Sequence, residues 1–125
     1  MSKRILVVDD ESYIVDILDF TLAGEGWEVI TASNGEDALR TLLKTNPDLV
    51  ILDVMMPRID GIEVCRAIKA REESADTPVI LLSAKDREKD RENGMEAGAD
   101  LYLTKPFSPG RLVEEIRNLM NPQGA

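Results

Sequence analysis

The sequence predicts a doubly wound α/β domain built on a five-stranded parallel sheet. Five short apolar runs rich in β-branched residues alternate with stretches whose apolar residues recur at helical spacing, joined by short links. The runs are apolar throughout rather than at every second position, which marks strands covered on both faces. In such sheets ligands bind beyond the carboxyl ends of the strands.

Each element has its own signal. Arg4 to Val8 is the first strand, ended by Asp9 and Asp10. Ile14, Ile17, Leu18, Thr21 and Leu22 recur at helical spacing, so Ser12 to about Gly24 is an amphipathic helix stopped by Gly24 and Gly26. Glu28 to Ala32 is the second strand. Asn34 caps the next helix, with Ala38, Leu39, Leu42 and Leu43 as its apolar face and Pro47 beyond it. Leu49 to Asp53 is the third and most apolar strand. Met55 to Gly61 is a loop marked by Pro57 and Gly61. A helix carrying Val64, Cys65 and Ile68 runs to about Arg71. Pro78 to Ser83 is the fourth strand, Asp86 to Ala97 a weaker helix ending at Gly98, and Leu101 to Thr104 the fifth strand. Ser108 and Pro109 open the last helix as cap and first helical residue, and Leu112, Val113, Ile116, Leu119 and Met120 form its apolar face. Asn121 to Ala125 carries no structure signal and is expected to fray. Trp27 is read as packing at the edge away from the strand ends.

Length and composition narrow the function. The chain has 125 residues, enough for one domain, and 43% are hydrophobic, enough for one core. No apolar run approaches the roughly 20 residues that cross a bilayer. Lys3 opens a charged, strand-like start with no export signal, and Cys65 is alone, so a reducing cytoplasm is expected. A net charge of −9 argues against direct binding of nucleic acid or an anionic membrane. The sequence holds no His, which excludes His-based triads and His-containing metal sites.

The strand ends carry the chemistry. Asp9 and Asp10, Asp53, Ser83 and Lys105 end the first, third, fourth and fifth strands, so the topology gathers them at one edge. Each alone has an ordinary explanation as a helix cap, a turn residue or a solvated side chain. Together they form a pocket of three carboxylates, a hydroxyl and an ammonium. Crowded carboxylates raise one another's pKa, and a hard divalent cation relieves the repulsion. Few carboxylates and several waters suit Mg²⁺. A cation with Lys105 and Ser83 beside it makes an anion-receiving site, and Asp53 is placed as a nucleophile toward a phosphoryl group.

Ile5-Leu-Val-Val-Asp-Asp-Glu11, Leu49-Val-Ile-Leu-Asp-Val-Met-Met-Pro57, Asp60-Gly61, Pro78-Val-Ile-Leu-Leu-Ser-Ala84 and Gly98-Ala-Asp-Leu-Tyr-Leu-Thr-Lys-Pro-Phe107 resemble, in the same order, the receiver domain of bacterial two-component response regulators. The resemblance implies a flavodoxin-like strand order of 2-1-3-4-5 and a receiver unit over residues 1–121 with a flexible tail at 122–125. It implies Asp53 as phospho-acceptor, Mg²⁺ held by Asp10, Asp53 and the Met55 backbone carbonyl, and Asp9 acting through metal-bound water. Lys105 and Ser83 would contact the phosphoryl group, and Tyr102 would be the switch aromatic beside Ser83. The Lys105–Pro106 bond is expected to be cis. Ser83 stands where Thr is commoner and keeps the hydroxyl.

The function expected from this is a phosphorylation-activated switch. It would take its phosphoryl group from a sensor histidine kinase or histidine phosphotransfer protein and act through the face of the fourth helix, fifth strand and fifth helix. It would be no enzyme beyond promoting its own phosphorylation and dephosphorylation, and a monomer or a weak phosphorylation-dependent dimer. The chain holds no output domain, so it is expected to be a stand-alone shuttle or the first part of a larger regulator. The alternating charges of Lys85 to Glu92 fit a solvated face or a helix loose enough to shift. Met55 and Met56 are expected to shield the pocket from water. Two alternatives use the same sheet. An Asp-nucleophile phosphatase would need a second Asp where Met55 stands, and an electron carrier with a flavin would need a phosphate loop where Asp9 and Asp10 stand.

Overall fold

In a computed structural model, residues 3–84 and 88–121 are described. Five strands and five helices alternate: β1 Arg4–Val8, α1 Ser12–Ala23, β2 Glu28–Ala32, α2 Gly35–Thr45, β3 Leu49–Asp53, α3 Gly61–Ala70, β4 Val79–Ser83, α4 Glu88–Glu96, β5 Leu101–Thr104 and α5 Pro109–Met120. A 3₁₀ turn, Glu72–Ser74, was not foreseen from the sequence. The strands form one sheet in the order β2-β1-β3-β4-β5, every pair parallel. This is the doubly wound, flavodoxin-like arrangement expected. The predicted start of the fourth helix at Asp86, the first three residues of the alternating charge run and the predicted tail at 122–125 lie outside the described residues.

Strand periodicity divides the core in two, because successive side chains point to opposite faces. Leu6, Val8, Val50, Leu52, Val79, Leu81 and Tyr102 face one side, with Val64, Cys65 and Ile68 of α3 packed on them. Ile5, Val7, Leu49, Ile51, Ile80, Leu82 and Leu103 face the other, under Ile14, Leu18 and Leu22 of α1 and Leu112, Val113 and Ile116 of α5. The β3 and β4 strands are buried at every position, as their apolar runs predict.

The helix caps follow the sequence signals. Asn34 accepts from the Asp37 N–H, Asp60 from Glu63 and Ser108 from Arg111. Two predicted apolar faces narrow. Ile17 and Leu43 were expected in the core and are exposed. Each lies one residue, about 100° around the helix, from the line that meets the sheet, which Leu18 and Leu42 occupy. Trp27 is half-buried against the α1–α5 side of the core, as edge packing predicts. Glu25 beside it pairs with Arg117 and ties the far end of α5 to the α1–β2 turn. Among the described residues no helix is long and apolar enough to cross a membrane.

Candidate functional site

The carboxyl edge of the sheet brings together Asp9, Asp10, Asp53 and Lys105, and Ser83 ends β4 at the same edge. Backbone pairing sets the positions: Asp9 N–H donates to Ala32 O, Val54 N–H to Leu82 O and Lys105 N–H to Ser83 O. Carboxylate oxygens of Asp9, Asp10 and Asp53 lie within 4.8 Å of one another. Asp9 and Asp53 are buried and Asp10 is exposed at the mouth. Lys105 reaches in from the end of β5, its Nζ 3.0 Å from Asp9 Oδ2 and 3.3 Å from Asp53 Oδ1. The Lys105–Pro106 bond is cis. The Met55 N–H donates to Asp53 Oδ1 at 3.3 Å, and the Glu11 N–H to Asp9 Oδ1 at 2.9 Å.

The electrostatics follow from burial and crowding. Asp53 is 3% exposed. Burial first, then the neighbouring Asp9 charge, push its pKa up to about 6, against the pull of Lys105 and the Met55 N–H. Burial alone would lower the Lys105 pKa. Its hydrogen bond to Asp9, the charges of Asp53 and Asp9, and its bond to Glu11 outweigh that and hold it above the ordinary lysine value. The amine is therefore a fixed positive charge. Three oxygen-rich carboxyl groups converging on one point fit a hard divalent cation such as Mg²⁺.

Ser83 and Tyr102 stand on the other side of the edge. Ser83 is fully buried and continues the Val79–Leu81 series, whereas Asp53 continues the Leu49–Ile51 series. Tyr102 lies opposite Leu81 in register, two residues before Thr104, the partner of Ser83. It is 4% exposed beneath α4. The Arg91 guanidinium sits 5.1 Å above its ring, and Arg91 Nη1 donates to Tyr102 O at 3.2 Å. Gly94 lets α4 come this close: a Cβ there would stand 3.1 Å from the ring and 2.8 Å from Leu81. Gly94 is also the one buried residue of α4, so the helix is lightly held.

A family model, that of the response regulator receiver domain, matches residues 5–117. The chain belongs to that family. The receiver shares 48% identity over 120 residues with the alkaline phosphatase synthesis transcriptional regulatory protein PhoP of Bacillus subtilis, covering 96% of this chain and 49% of that protein. It thus spans about half the length of that curated relative. A candidate response regulator from Chloroflexus aurantiacus superposes with a TM-score of 0.92 at 36% identity, over 96% of this chain and 98% of that one. The receiver domain of a signal transduction histidine kinase from Syntrophus aciditrophicus gives 0.91 at 34%, over 98% and 92%. Receiver domains are signalling switches of two-component systems rather than classical enzymes.

One expectation needs adjusting, and three residues were overlooked. Met56 does not shield the pocket: it is buried in the core on the α3 side, and Met55 is half exposed. Cys65 is a core residue whose Sγ is 3.8 Å from Ala97 O, and burial pushes its thiol up to about 11. Glu11, whose Oε1 is 3.3 Å from Lys105 Nζ, was not singled out, although an acid next to a strand-end Asp pair is a visible signal. Arg91 and Gly94 give no such signal, because only the α4–β5 packing brings them to Tyr102. Gly61 carries a sharper constraint. A Cβ there would stand 2.2 Å from the backbone oxygen of Asp53 and 2.9 Å from Val54 Cα. Backbone cannot rotate aside as a side chain can, so Gly61→Ala is expected to cost about 3 kcal/mol. Urea unfolding of the variant measures it, and a loss well under 1 kcal/mol would contradict the contact.

Proposed function

We propose that this receiver accepts a phosphoryl group on Asp53 and that the modification changes the face made by α4, β5 and α5. One observation carries this: a buried carboxylate at the end of β3 lies within ion-pair reach of Lys105 and inside a carboxylate trio that fits a cation. Asp10, Asp53 and the Met55 backbone carbonyl would hold Mg²⁺, with Asp9 acting through its water. The ion would supply positive charge to the phosphoryl oxygens as they pass from donor to acceptor.

The chain's own groups account for the rest. An Asp53 carboxylate oxygen forms the new bond to phosphorus, and the bond from phosphorus to the donor breaks, its electron pair leaving with the donor. With a pKa near 6, Asp53 is largely ionised at neutral pH and available as nucleophile. Lys105 neutralises charge on the transferred group, and the Ser83 hydroxyl donates to it. The donor is a histidine kinase or a histidine phosphotransfer protein, as the family implies. The acidic balance of the chain opposes direct contact with nucleic acid. The receiver works in the cytoplasm as a monomer or a weak, phosphorylation-dependent dimer.

The switch follows from which side of the sheet each residue occupies. A phosphoryl group on Asp53 draws the Ser83 hydroxyl inward, which frees space on the face that Ser83 shares with Tyr102. The ring moves, and α4, seated on it through Gly94, moves too. Hydrogen exchange with and without a phosphoryl mimic should show altered protection between residues 88 and 107 and little near Trp27. Change confined to the Trp27 end would overturn this route.

Incubation with acetyl phosphate and Mg²⁺ tests the function itself. A stable, acid-labile mass gain on the intact protein is expected. Continuous release of free phosphate without that gain would favour a phosphatase instead.

A further inference from the structure

The Lys105 amine faces three carboxylates: Asp9 Oδ2 at 3.0 Å, Asp53 Oδ1 at 3.3 Å and Glu11 Oε1 at 3.3 Å. Asp9 and Glu11 accept hydrogen bonds from it, which engages two of the three N–H donors of the ammonium, and Asp53 is an ion-pair neighbour. A phosphoryl oxygen that is to be bound by Lys105 competes with these carboxylates for the amine. Asp9 and Asp53 belong to the trio that fits a cation, and Glu11 does not. Its second oxygen instead accepts from the Tyr13 hydroxyl at 3.0 Å. That bond comes first, and Lys105 second, in holding the Glu11 carboxyl below its ordinary pKa. Tyr13, Glu11 and Lys105 thus form a chain from the outer surface of α1 into the pocket.

We propose that Glu11, oriented by Tyr13, is a positioning residue that draws the Lys105 amine toward the rim and competes for it with the phosphoryl group on Asp53. This rests on Asp53 being the acceptor. Once a cation offsets the charge of Asp9 and Asp53, Glu11 is the carboxylate that still needs the amine. Its side chain is 44% exposed, so solvent screens the pair and the bias is modest. Sequence neighbours of a strand-end acid pair thereby set how readily the amine serves the acceptor.

The test measures initial labelling by acetyl phosphate and Mg²⁺ in the parent, Glu11→Gln, Tyr13→Phe, Lys105→Met and the Glu11→Gln/Lys105→Met double variant. Glu11→Gln should raise the rate about two- to five-fold. Tyr13→Phe should raise it less, and the gain should vanish when residue 105 is Met. The same gain without the amine would mean that loss of a negative charge merely favours an anionic donor, and would overturn the proposal. So would a slower Glu11→Gln protein. A second readout needs no phosphoryl transfer. The Lys105 ε-methylene NMR signals of the metal-free protein, assigned by their loss in Lys105→Met, should shift in Glu11→Gln and in Tyr13→Phe. Unmoved signals would overturn the contact whatever the labelling shows. Labelling that survives Asp53→Asn would instead refute the acceptor, and the NMR comparison tells the two failures apart.

Discussion

Asp53→Asn should abolish the mass gain with acetyl phosphate and, at neutral pH without metal, should also raise the melting temperature. The first effect follows from loss of the nucleophilic oxygen. The second follows from the pKa near 6, well above the ordinary 3.8 of an aspartate. A carboxyl group whose folded pKa is raised contributes stability that is full below its unfolded pKa and is lost as pH rises through the folded value. For Asp53 that loss runs from about pH 4 to pH 6 and reaches on the order of 3 kcal/mol at neutrality. Asparagine has no charge to desolvate, so the variant should escape the decline. The gap between variant and parent should therefore widen from pH 4 to pH 7. An unlabelled variant that is also less stable at pH 7 would indicate damage to the fold, and one that still gains mass would remove Asp53 from its role.

Millimolar Mg²⁺ should stabilise the parent and not Asp10→Ala. At a hundred-fold excess over its Kd, a ligand confined to the folded state adds about 2.7 kcal/mol. For a chain of this size that is roughly 8–10 °C in melting temperature. Asp10 is exposed, so its removal should not harm the metal-free fold. The effect should also depend on pH in a fixed direction. The cation needs ionised ligands, and a proton on Asp53 competes with it. The stabilisation should be full at pH 7.5 and should shrink as pH falls below about 6, opposite in sign to the metal-free trend. Thermal melts at both pH values, with and without the ion, decide it. An equal shift in Asp10→Ala would place the ion elsewhere.

The sheet and the gathering of the site were legible because both depend on local pattern and topology. Apolar runs locate β1, β3 and β4 within a residue, and a parallel sheet collects Asp9, Asp53, Ser83 and Lys105 once their strands are known. Ser108 and Pro109 mark the start of α5 for a similar reason: the cap bond spans three residues. What escaped notice depends on distances between elements. Helical spacing places Ile17 beside Leu18, but only packing tells which of them meets the sheet. Met56 reads as a pocket neighbour, and the turn after Asp53 rotates it into the core. The contact of Gly61 with the Asp53 backbone and the seat of Gly94 on Tyr102 leave no mark in composition or period, since glycine shows its purpose through what lies against it.

The placement of Lys105 has a consequence for how the chain folds. The pocket's acids come from β1 and β3, which pair directly, whereas the amine that balances them arrives only with β5 at the sheet's edge. A chain in which β5 has not docked holds the carboxylates of Asp9, Asp10 and Asp53 close together without their counter-charge, and the central pairing is weakened by their repulsion. Parallel pairings already form slowly because they join distant segments. Docking of the last strand therefore completes the charge balance of the first and third, which makes partly folded forms poorer and the transition more nearly all-or-none. A divalent cation can stand in for the amine during that interval, so refolding should tolerate delay in β5 better when one is present.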